Sequence, residues 1–323
     1  MNEDKFNLGQ LQICVEKHLK KHSDNLNNID DHKLRAAFLK QFIWPQNSNI
    51  KIWFIETSEH NSGNVPRKNY DDSTKVDPLQ NVVNDMSVKD AIIKIVNERY
   101  VPIIGNGITV TFVDNIEDSN IRISFVPSDG AWSYVGTQCA DPENKDLPTM
   151  NLGWFDVATT LHEFGHCFGM VHEHNNPNNN PIKWDKEKVY AWALSDQGWD
   201  METTDENILM NYDMDKINGS VFDPLSIMLY FFPAYLTTNG VGTKQNFRFS
   251  GYDVEFLNKN YPNSSIPIEQ FYQNIYGETI EDSIAKSTNL LSYKPDPMKM
   301  YIKILSGVGI VIFVILIMYF LLG

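Results

Sequence analysis

Four of the eight histidines in this 323-residue chain fall between positions 162 and 174, in the run His-Glu-Phe-Gly-His-Cys-Phe-Gly-Met-Val-His-Glu-His. Residues four apart on a helix lie one above the other on the same face, so His162 and His166 can offer ring nitrogens to one ion at about 2.0–2.1 Å. Gly169 can take positive φ without a Cβ penalty, which ends the helix and turns the chain so that His172 returns to the same ion. Three imidazoles leave a fourth position open, and that opening separates a catalytic zinc from a structural one. A water there is acidified toward a pKa of about 7. Glu163, one residue past the first ligand, is then the natural general base. The pattern predicts one Zn2+ per chain and metal-assisted hydrolysis without a covalent intermediate. His174 lies beyond the pattern and reads as solvated. Cys167, next to His166, points about 100° away around the helix axis and reads as core filler rather than a ligand.

Such a helix needs a sheet behind it. Ile50 to Ile55 reads as a mostly buried strand, and Ser87 can cap a helix whose apolar stripe, Val88, Ala91, Ile92, Ile95 and Val96, runs on to Tyr100. Two strands follow, Ile108–Phe112 and Ile121–Phe125, each bounded by Asn, Asp and Gly turn signals. Thr149 to Leu152 reads as a fourth, short strand with one polar side, suited to a sheet edge. The Asn/Pro-rich run from Asn175 to Pro181 reads as a loop. Residues 1–33 are polar with scattered apolar positions, Leu11, Ile13, Val15 and Leu19, able to form a short strand or helix. After Pro262 the sequence turns polar and reads as irregular up to Tyr301.

With these residues in place, the chain resembles the metzincin peptidases, whose extended zinc motif has this His/Glu/His/Gly/His spacing followed by a methionine turn. Ser226-Ile227-Met228-Leu229-Tyr230 resembles that turn, and Glu173, directly after the third histidine, matches the astacin branch. Gly130-Ala131-Trp132-Ser133-Tyr134-Val135-Gly136 is similar to the astacin segment leading to the substrate-binding edge strand. Phe249-Ser250-Gly251-Tyr252-Asp253 through Tyr261-Pro262 is similar to the astacin C-terminal helix. The resemblance implies that His162, His166 and His172 bind zinc, that Glu163 is the base, that Gly169 and Met228 support the site, and that Tyr230 is a switch tyrosine donating to the tetrahedral intermediate. It implies an α+β, two-lobed catalytic domain: a twisted mixed sheet with an active-site helix, a cleft, and a mostly irregular lobe after Gly169. A polypeptide substrate would lie extended along the edge strand near Met150 to Leu152, and internal peptide bonds would be cut. Two departures stand out: Ala131 replaces a cysteine common in astacins, and Leu229 replaces the usual histidine before the tyrosine.

Composition bounds the partners. Twenty-seven Lys and Arg against 41 Asp and Glu give a net charge of −14 with no basic cluster, which argues against nucleic acid. Cys14, Cys139 and Cys167 are too few, and odd in number, for a disulfide framework, which favours a reducing compartment. No apolar signal segment follows Met1. Ile304 to Leu322 carries no charge; at 1.5 Å per residue it is about 28 Å long, enough for a bilayer core. Lys299 and Lys303 precede it, so the positive-inside bias keeps the preceding domain cytosolic. The expected plan is an N-terminal segment (1–33), a catalytic domain (34–263), a polar spacer (264–301) and a C-terminal transmembrane helix (302–322) that makes the lipid membrane a partner beside the protein or peptide substrate. The alternative is a membrane-anchored zinc-binding protein without hydrolytic activity.

Overall fold

A computed structural model describes residues 15–17, 42–70, 75–211 and 221–292. The chain divides into two units, Met1–Ser287 and Thr288–Gly323, and the sheet and the histidine cluster belong to the first. Six strands form one mixed sheet: β1 (Val15–Lys17), β2 (Asn49–Phe54), β3 (Thr109–Phe112), β4 (Ile121–Ser124), β5 (Ala131–Tyr134) and β6 (Met150–Leu152), in the order β1-β5-β6-β4-β2-β3. All neighbours are parallel except β5 and β6, which pair antiparallel with Trp132 opposite Asn151.

Two short helices, α1 (Leu79–Val83) and α2 (Val88–Ile95), precede β3. Ser87 caps α2 as its sequence suggests, accepting a hydrogen bond from the Asp90 N–H at 3.1 Å. The helix then widens over Val96–Tyr100, where the Val101 N–H reaches back five residues to the Val96 carbonyl at 3.1 Å. Its stripe of Val88, Ala91, Ile92 and Ile95 is buried in one core with Ile50 and Ile52 of β2 and Ile121 and Ile123 of β4. Each valine or isoleucine among them is worth roughly 1.5–3 kcal/mol when removed from water. A second core gathers Trp154, Val189, Trp192, Ile208, Tyr230, Phe232 and Leu236. It is built around α4 (Lys186–Trp192) and the segment Asp205–Leu209 that continues α5 (Met201–Thr204), with Trp154 joining from before Gly169.

The strand expected at the sheet edge is interior: β6 lies between β4 and β5. Its polar residue, Asn151, faces no solvent. The side-chain oxygen accepts from Ser124 Oγ at 2.7 Å and the Val126 N–H at 2.9 Å, and the amide donates to the Val126 and Gly130 carbonyls. The outer side of β5 is taken by β1, with Val15 opposite Trp132 and Lys17 opposite Tyr134.

The stretch after Pro262, expected to be irregular, carries two helices, α7 (Ile268–Tyr276) and α8 (Ile280–Ser292), after α6 (Gly251–Asn260). Phe271 and Tyr272 of α7 are buried in the first core with Ile280. Tyr276 donates to Asp77 Oδ2 at 2.8 Å, completing a buried network in which Arg99 grips both oxygens of Asp77 at 2.8 Å. Among the described residues no helix is long and apolar enough to cross a membrane. The run Ile304 to Leu322 lies outside the described residues.

Candidate active site

The helix that carries the histidine pair, α3 (Val157–Cys167), is buried along its whole length. Asp156 starts it: the carboxylate accepts from the Thr159 N–H at 2.7 Å and from Thr159 Oγ1 at 2.9 Å. Burial pushes this carboxyl above its usual range, against the pull of the Thr159 donors. Gln80 on α1 accepts the Val157 N–H at 2.9 Å, and Tyr100 donates to the Leu161 carbonyl, so the helix is fixed from both sides.

His162, His166 and His172 converge, with a ligating atom from each within 4.8 Å of the others, and all three are buried. His162 Nδ1 lies 2.9 Å from the Ile227 carbonyl and His166 Nδ1 lies 3.0 Å from the Met170 carbonyl. A carbonyl only accepts, so both Nδ1 atoms carry the proton and both Nε2 atoms are left with lone pairs. His166 Nε2 stands 3.1 Å from His172 Nε2. Two imidazole nitrogens sharing a tetrahedral ion at about 2.05 Å stand about 3.3 Å apart, so this close approach fits nitrogens gathered around one cation. Carbonyls that orient ligands from behind are the usual outer support of such a site. Cys167 takes no part; it is fully buried in the first core.

The chain leaves α3 by the turn the glycine predicts. Gly169 has φ +87°, its N–H bonds the His166 carbonyl at 2.8 Å, and the Met170 N–H bonds the Gly165 carbonyl at 2.9 Å. These two bonds form a Schellman stop. Met228 lies beneath the helix: a Cβ added at Gly165 would stand 2.7 Å from the Met228 sulfur. Gly165 is therefore a supporting residue absent from the sequence reading, although a glycine inside a helix is a signal of close approach.

The methionine turn hangs from Asp253 on α6, which accepts from Ser226 Oγ at 2.7 Å and from the Ile227 N–H at 2.9 Å. Because the Ile227 carbonyl orients His162, Asp253 acts on the site through the turn. Burial, then the nearby Asp223, push the Asp253 carboxyl up to about 7. Glu173 is pushed well above its usual range by burial and then Asp223; it accepts the Asp223 N–H at 2.7 Å and Asn176 Nδ2 at 2.9 Å.

Tyr230 places its hydroxyl in hydrogen-bonding contact with His172 Nε2, and the two ring centroids are 4.2 Å apart. His174, expected in solvent, is fully buried. Its ring stacks on Tyr230 at 5.0 Å and on His172 at 5.3 Å, and Nε2 donates to the Asn207 carbonyl at 2.8 Å. An aromatic pocket supplied by Trp184, Tyr230 and Phe232 draws it in. Glu163 is wholly buried in α3, directly after His162.

A buried helix offering two Nε2 lone pairs, a glycine turn returning a third imidazole, and a methionine beneath them define a zinc-dependent metallopeptidase. The chain matches the family model of the astacin peptidases over residues 94–262. It is similar to the solved "Structure of myroilysin" at 30% identity, covering 70% of this chain and 98% of that one with a TM-score of 0.53. A second match, "Crystal structure of myroilysin", has 28% identity, covers 79% of this chain and 93% of that chain, and has a TM-score of 0.47. High choriolytic enzyme 1, a hatching enzyme zinc-protease from Oryzias latipes, matches at 15% identity over 69% of this chain and 95% of its own, with a TM-score of 0.40. No curated protein is similar enough to count as a match. The chain belongs to the astacin family and is a zinc metalloendopeptidase.

Proposed function

We propose that the chain cuts internal bonds of extended polypeptides, with Glu163 as general base and general acid and Tyr230 as the hydroxyl donor to the oxyanion. The carrying observation is that Glu163 follows His162 within the buried helix whose histidines converge, while the Tyr230 hydroxyl, two residues past Met228, reaches His172 Nε2. His162, His166 and His172 would hold the zinc, which would supply Lewis-acid chemistry to a water and to the scissile carbonyl. Glu163 takes the proton from the attacking water and delivers it to the leaving amine. Tyr230 aims an O–H at the developing negative charge, and the buried surroundings strengthen that bond.

The interior position of β6 moves the expected docking edge to β5, the antiparallel strand on the histidine-bearing side of the sheet. One strand edge accepts one partner, and β1 occupies it here. A substrate that adds to β5 by main-chain pairing must displace Val15–Lys17. Replacing Glu16 and Lys17 together with proline removes a ladder donor whichever of the two faces β5. Against a denatured protein, with new internal termini read by mass spectrometry, the double variant is expected to show kcat/KM raised several-fold. An unchanged value would mean that substrate binds elsewhere.

We also propose that residues 304–322 anchor the enzyme in a membrane with the preceding domain on the cytosolic side. The uncharged run and the lysines before it support this reading. The full chain expressed in eukaryotic cells is expected to sediment with membranes, resist carbonate extraction and carry no glycan at the acceptor motifs Asn218-Gly219-Ser220 and Asn263-Ser264-Ser265, which are glycosylated only on the lumenal side. Glycan at either asparagine would reverse the orientation, and carbonate-soluble full-length chain would remove the anchor.

A further inference from the structure

Two of the three cysteines meet. Cys139 lies in the turn Gly136–Ala140 that follows β5, and Cys167 is the last residue of α3. Both are free thiols with no solvent exposure, and their sulfurs are 3.9 Å apart. The strand β5 holds both toward each other: Cys139 Sγ donates to the Tyr134 carbonyl at 3.3 Å, and Cys167 Sγ lies 3.2 Å from Ser133 Oγ. A disulfide spans about 2.05 Å, so closure needs the sulfurs to approach by about 1.9 Å, a change that rotation about the two Cα–Cβ bonds can share.

We infer that Cys139 and Cys167 are a disulfide site, closed by a small disulfide oxidant, that staples the end of the zinc-binding helix to the segment after β5. The site lies outside the ligand set, so it stands whether or not Glu163 and Tyr230 have the roles proposed above. With glutathione disulfide as oxidant, the Cys139 thiol gives up its proton and attacks one glutathione sulfur, forming a mixed disulfide and releasing one glutathione thiolate, which takes up that proton. The Cys167 sulfur then attacks Cys139 Sγ, forming the protein disulfide and expelling the second glutathione, which takes up the Cys167 proton. The pair loses two electrons and glutathione disulfide gains them. Because both sulfurs are buried, the exchange proceeds during folding or through a local opening rather than by collision with the closed molecule. The bond joins residues 28 apart in sequence, and such a loop constrains the unfolded chain.

The test uses the zinc-loaded full chain carrying Cys14→Ser, which removes the third thiol, and the same chain with Cys139→Ser added. Each is incubated folded, and separately refolded, in glutathione disulfide, then alkylated under denaturing conditions and digested without reductant. The expected result in the first protein, by either route, is a loss of about 2 Da and a linked peptide pair containing Cys139 and Cys167. Its melting temperature should rise by on the order of 5 °C, reversed by dithiothreitol and absent with Cys139→Ser. Alkylated thiols at both positions after both treatments, or glutathione left on single cysteines, would overturn the assignment.

Discussion

Replacing His166 with alanine is expected to lower bound zinc from about one ion per chain to near zero and to cut peptide hydrolysis by at least about 10³-fold. His166 is fully buried and sits between the other two ligands, with ring centroids 4.9 Å from His162 and 4.7 Å from His172. The remaining pair cannot enclose an ion in three-coordinate protein geometry. The same substitution deletes the Nδ1 bond to the Met170 carbonyl, which ties the helix to the turn that delivers His172. The fold should survive, because α2 packs against β2 and β4 in a core that does not depend on the ion. Metal analysis and circular dichroism together check this. A folded variant that kept a full equivalent of zinc and wild-type turnover would remove His166 from the ligand set.

The part of the site legible from spacing alone is the part whose geometry is local; Met228 and Tyr230 are legible only through the resemblance of their turn. Spacing along one helix sets His162 against His166, and a single positive φ at Gly169 carries the chain to His172. No long-range information is needed for either. His174 escapes such a reading because its environment is not local. Trp184, Tyr230 and Phe232 build its pocket, and sequence spacing does not report that residues so far apart enclose a ring. The same limit hides Asp253, whose carboxylate fixes the methionine turn from a helix that begins 25 residues after Ser226.

The sheet shows a second kind of limit. Alternation along Met150–Leu152 marks Asn151 as different from its neighbours, but a polar side chain that satisfies itself on Ser124, Val126 and Gly130 has the same letter as one in water. Only the pairing partners decide between edge and interior. The helix at Ile268–Tyr276 is legible in principle, since Ile268, Phe271, Tyr272, Ile275 and Tyr276 fall at spacings of three and four. The polar composition around them masks a stripe that the first core uses.

Glu163→Gln separates binding from chemistry at this site. Glutamine is nearly the same size, so the buried position in α3 is filled and His162, His166 and His172 keep their arrangement. Zinc content is therefore expected to stay at about one per chain. The amide oxygen can still accept a hydrogen bond, but at neutral pH the group cannot take up the proton of the attacking water or return it to the leaving nitrogen. General acid–base help is worth about 10²–10⁴ in rate, so kcat should fall by that factor while KM for a denatured protein changes little. The loss should not be recovered by added zinc, which distinguishes it from the His166→Ala defect. If the variant stays within a factor of about three of wild type with its zinc intact, the proton is carried by another group and Glu163 is a packing residue. Tyr230, whose hydroxyl reaches His172 Nε2, would then be the first group to test, by substitution with phenylalanine.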